Sequence, residues 1–124
     1  MSKQNEKLLE KAKENLSAAS VLFDHGKYNA AANRAYYSVF QIVFNDMLKN
    51  GKAEKEQHQN RHIKAVEYMR KMFQNDTITK FKKLMSSRKK SDYEQVVLEK
   101  EEIDIPAINA LYSDIKNILV TQGG

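Results

Sequence analysis

At 124 residues and 14.3 kDa, with 41% hydrophobic and 30% charged residues, the chain has the composition of one globular domain around one core. Its formal charge is +5, it has no cysteine, and it holds only four Gly and one Pro. These counts exclude disulfides, thiolate zinc sites and a cysteine nucleophile, and leave too few turn-formers for a sandwich, a barrel or a doubly wound sheet.

Gly26 and Gly51 read as left-handed residues just past helix ends, and they delimit two helices. The first is expected over about 3–24, with Leu8, Leu9, Ala12, Leu16, Ala19, Ser20 and Phe23 on one face. The second is expected over about 28–49, with Ala31, Ala32, Ala35, Tyr36, Val39, Phe40 and Val43 as its stripe. A short Gly turn between two such helices makes an antiparallel hairpin. Residues 52–60 are uniformly polar and read as a loop. The third helix is expected over 61–74, with Ile63, Val66, Met69, Met72 and Phe73 apolar, followed by a turn at Asn75-Asp76-Thr77. Ile78, Phe81, Leu84 and Met85 give the fourth helix a narrow stripe, and the cationic stretch 86–94 either ends that helix or prolongs it. Asp104 followed by Pro106 opens the last helix, which carries Ile108, Leu111, Tyr112, Ile115, Ile118 and Leu119 before Gln122-Gly123-Gly124 fray. The expected fold is all-α: a single up-and-down four-helix bundle with a fifth short helix.

No uninterrupted apolar run reaches the roughly 20 residues that a membrane span needs. Nothing apolar follows the charged start Met1-Ser2-Lys3-Gln4-Asn5-Glu6, so neither a membrane anchor nor a signal peptide is expected, and a cytoplasmic location is. The charge is unevenly spread. Residues 49–90 carry thirteen Lys and Arg against four acids, whereas residues 91–124 carry two Lys against seven acids. A basic middle third suits an anionic partner such as RNA or a nucleotide phosphate; the plainer alternative is a solvated lysine-rich face.

Glycine-rich phosphate loops, a Gly-x-Ser-x-Gly elbow and a His-Glu-x-x-His helix are absent from the sequence. His58 and His62 stand four apart, but no third ligand sits at a matching offset, so no metal and no cofactor are expected. Arg34 lies within the aromatic segment Asn33-Arg34-Ala35-Tyr36-Tyr37-Ser38-Val39-Phe40. If half-buried there, it must pair with a carboxylate or a helix C-terminus. The second concentration is Arg88-Lys89-Lys90-Ser91-Asp92-Tyr93, where a planar guanidinium suited to phosphate stands beside two lysines. Its bland reading is a helix end whose cations favour the dipole.

The order Gly26-Lys27-Tyr28, Arg34-Ala35-Tyr36-Tyr37, His62, then Arg88-x-x-Ser91-Asp92-Tyr93 resembles the HEPN superfamily, in particular its small stand-alone prokaryotic branch associated with nucleotidyltransferases. The resemblance implies a homodimeric helical bundle acting on RNA, tRNA included, as a metal-independent endoribonuclease in a toxin–antitoxin or phage-defence setting, with a nucleotidyltransferase as the partner antitoxin. Arg88 matches the arginine of the family's Arg-to-His motif, but Tyr93 stands where the histidine is expected. A tyrosine of pKa about 10 is a poor base near neutrality. On this reading Arg88, Tyr93, His62 and Asp92 are the catalytic candidates, with His62 the substitute base; Arg34, Tyr37, Lys89 and Lys90 are the RNA- or nucleotide-binding candidates. Arg88→Ala is expected to abolish cleavage without lowering the melting temperature. The alternative from a different class is a non-catalytic module that binds RNA, a nucleotide or the nucleotidyltransferase, with Tyr93 as an acceptor of modification.

Overall fold

The computed structural model describes residues 3–54, 60–93 and 95–123. Among these residues there are five α-helices and no strand: α1 (Lys3–Asp24), α2 (Tyr28–Lys49), α3 (Arg61–Arg70), α4 (Asn75–Ser91) and α5 (Ile105–Gly123). A single 3-10 turn, Lys100–Glu102, precedes α5. The α1–α2 hairpin closes through Gly26 at φ 73°, and α2 ends at Gly51 at φ 69°, both left-handed conformations that only glycine adopts freely.

α2 is the central helix and packs against all four others. Thirteen of its 22 residues are buried, including Ser38, Ile42, Phe44 and Met47 beyond the expected stripe. A helix apolar on nearly every side is one surrounded by other helices. One part of the core gathers Tyr36, Phe40, Met47, Met69, Phe81 and Ile115; the other is built on Ala19, Ala31, Ala32 and Ala35, whose small side chains admit Leu98, Ile103 and Ile108.

Two elements, α3 and α4, differ from the sequence reading. α3 stops at Arg70 because Met72 and Phe73 both donate their N–H to the carbonyl of Met69, a tightened turn that drives Phe73 into the core. Ile63, expected on the apolar stripe of α3, is 59% exposed. Asn75-Asp76-Thr77 is the first turn of α4 rather than a separate turn, with Asp76 favoured by the helix dipole and paired to Lys80 at 3.0 Å. The stretch from Ser86 continues α4 outward to Ser91, and Asp104 caps α5 by accepting the N–H of Ala107 at 3.0 Å. His58 of the histidine pair lies outside the described residues, as do Glu94 and Gly124.

Besides the core contacts of Leu98 and Ile103, one side chain of α2 pairs with the backbone of the segment between α4 and α5. The amide of Asn29 donates to the Val96 carbonyl at 2.9 Å and accepts the Leu98 N–H at 2.8 Å, pairing as a neighbouring strand would. Asn29→Ala leaves both backbone groups without that partner and is expected to cost about 2 kcal/mol in urea unfolding. A loss below about 0.5 kcal/mol would mean that water replaces the amide.

Candidate functional site

The aromatic face of α2 meets the start of α3 and the second half of α4 at one place. Tyr36 is fully buried there, its ring 5.7 Å from Phe40, 5.5 Å from Phe81 and 5.4 Å from His62. His62 also lies 4.6 Å from the ring of Phe40, and Arg61 sets its guanidinium 5.4 Å from that ring. From α4, the Arg88 guanidinium stands 5.7 Å from the Tyr36 ring and 5.5 Å from the Tyr37 ring. Arg88 and His62, 26 residues apart in sequence, therefore share Tyr36 as a common neighbour.

The hydrogen bond inside this cluster fixes the character of His62. The Tyr36 hydroxyl and His62 Nδ1 are 2.5 Å apart. Burial raises the Tyr36 phenol far above its ordinary range, so the phenol keeps its proton. Being fully buried, Tyr36 must place that proton on an acceptor, and Nδ1 is the one within reach. Nδ1 therefore accepts and Nε2 carries the imidazole proton. Burial first, then the positive charges of Arg88, Arg61 and Lys89, push the His62 pKa down to about 4. At neutral pH His62 is an uncharged N–H donor with its lone pair already engaged.

The lowered pKa has a testable sign. Between about 4 and 6.5 the unfolded chain binds a proton at His62 that the folded chain refuses, so stability rises with pH through that window. The contribution is complete above about 6.5 and is lost as pH falls toward 4. His62→Asn, which keeps an acceptor for Tyr36, should flatten the acid limb of the melting-temperature profile. A profile of identical shape in the variant would contradict this assignment.

Arg88 is only 21% exposed, and its Nη2 pairs with Asp92 on the next turn at 3.3 Å. Its Nε is buried without a hydrogen-bond partner. Lys89 and Lys90 are exposed; Lys90 reaches Glu102 at 3.7 Å. Tyr93 is 67% exposed just past α4, with its backbone N–H on the Lys90 carbonyl. Arg34 departs from expectation: it is exposed, and Nη1 donates to the amide oxygen of Asn15 on α1 at 3.3 Å. Its place on α2 points it to the α1 side, whereas Tyr36 and Tyr37 face the Arg88 cluster, so it needs no carboxylate. Two members of the cluster, Arg61 and Tyr36, were not among the site residues expected from the sequence. The signal available was Arg61 beside His62, the first two residues of a helix that follows a polar loop.

Among the described residues no group of three His, Asp or Glu side chains is placed to hold a metal ion, and no helix is long and apolar enough to cross a membrane. What the fold and the cluster define is an all-helical bundle that gathers N–H donors and positive charge over a tyrosine pair. A model of the HEPN domain matches residues 5–112, and the chain belongs to the HEPN domain family. A search of curated proteins returns no match.

Proposed function

We propose that this protein is an RNA-binding HEPN domain that holds phosphate at Arg88, with the His62 Nε2–H, Arg61 and Lys89 completing a set of donors. The observation that carries the reading is the bond from the Tyr36 hydroxyl to His62 Nδ1. It leaves the imidazole with a proton to donate and no free lone pair for taking one from a 2′-hydroxyl. A group of donors and cations without a base binds a phosphodiester rather than cleaving it. Lys89 and the basic middle of the chain extend the positive surface along which a backbone can lie. The homodimer and the nucleotidyltransferase partner implied by the family likeness belong with this reading, and the exposed Tyr93 is the residue such a partner would modify.

The endoribonuclease reading draws on the shared contact of Arg88 and His62 with Tyr36. In that mechanism Arg88 stabilises the phosphorane, Asp92 orients Arg88, His62 takes the 2′-hydroxyl proton and Tyr93 gives one to the leaving 5′-oxygen. Incubation of labelled RNA in EDTA separates the two. Binding without cleavage supports the proposed function; cleavage that Arg88→Lys removes would replace it with the nuclease.

A further inference from the structure

Asp92 stands where a helix does not favour it. It is the C-cap residue of α4, and its carboxylate meets the negative end of the helix dipole. What it gains in that place is Arg88, one helical turn back, at 3.3 Å. The contact engages Nη2 alone, with the carboxylate half-exposed and Nε left without an acceptor. A guanidinium is best satisfied when two of its N–H groups meet two oxygens of one anion. The single-point pair leaves that capacity unused, and a pair whose carboxylate is half-exposed to water is weak. The neighbouring Lys90 is engaged in the same way by Glu102 at 3.7 Å. Two of the three cations closing α4 are thus met by acids from the negatively charged last third of the chain.

We propose that Asp92 is a built-in counterion: in the free protein it holds the Arg88 guanidinium over the Tyr36–Tyr37 pair, and an RNA phosphate displaces it on binding. The inference rests on the phosphate reading of Arg88 and adds a regulatory residue to it. Asp92 keeps Arg88 oriented and screens its charge, so a lone phosphate ion gains little by competing. A nucleic-acid strand, which engages Lys89 and the rest of the basic surface together, gains enough to open the pair. Asp92 is a positioning residue acting through Arg88 and needs no contact with RNA.

The test is a two-by-two comparison of Asp92→Asn and Arg88→Ala, each alone and combined, by fluorescence anisotropy with a labelled single-stranded RNA. Asp92→Asn should bind roughly two- to fivefold tighter than the wild type, the range expected for opening one half-exposed, single-point ion pair. Its affinity should fall with salt at nearly the wild-type slope, because Arg88 meets a phosphate in both complexes. In the Arg88→Ala background the same change should have no effect. Equal tightening in both backgrounds would reduce Asp92 to one unit of net charge and overturn the counterion role. Unchanged or weaker binding by Asp92→Asn beside a wild type that binds would also overturn it while leaving the phosphate reading in place. Absence of binding by both proteins at low salt would remove the two together.

Discussion

Phe81→Ala is expected to destabilise the protein by about 3–5 kcal/mol, the range for emptying a fully buried aromatic position. The Phe81 side chain is completely enclosed, and its ring lies 5.5 Å from that of Tyr36. It is the contact through which α4 supports the tyrosine that in turn holds His62. The cost therefore falls on the site as well as on the core. Denaturant unfolding of Phe81→Ala measures the first, and Phe81→Leu, which refills most of the volume, keeps enough fold to measure the second by RNA affinity. A loss under about 1 kcal/mol for Phe81→Ala would contradict the packing described for α2 and α4.

Arg88→Ala is the second large effect, and here the structure revises the sequence-based expectation. The side chain is not a solvated helix end that can be trimmed silently: it is mostly buried and stacked by two tyrosine rings. Its removal is expected to cost about 1 kcal/mol of stability, from the lost cation–π contacts. It should weaken RNA binding and lower the salt slope by about one, the signature of a lost phosphate contact. Arg88→Lys keeps the charge but loses the planar fork and the stacking, so it should bind RNA more weakly than wild type. Equal affinity of wild type and both variants would place the RNA elsewhere on the basic surface.

Much of the fold was legible from punctuation. Gly26 and Gly51 mark the ends of the first two helices because a left-handed residue is needed there, and glycine alone takes that conformation without strain. Asp104 and Pro106 marked the start of α5 for an equally local reason. Long-range packing was less legible. Phe73 leaves the helical path to enter the core, and Ile63 is left outside it, because the surfaces of α2 and α4 decide which residues of α3 turn inward. The site divides along the same line. Arg88 and its lysines were visible as a local cluster, and His62 as an isolated histidine. Their meeting through Tyr36 was not visible, since it depends on how three helices cross. The surroundings of Arg34 were hidden for the converse reason: its aromatic neighbours in sequence point to the core while it donates to Asn15 on α1.

The most direct measurement is one titration of a labelled single-stranded RNA with the wild-type protein, in EDTA, across a series of salt concentrations, with the RNA run on a gel afterwards. Binding that weakens steeply as salt rises is expected, together with RNA that is recovered intact. Cleaved RNA would contradict the assignment of His62 as a donor without a free lone pair. Failure to bind at the lowest salt would contradict the phosphate site itself.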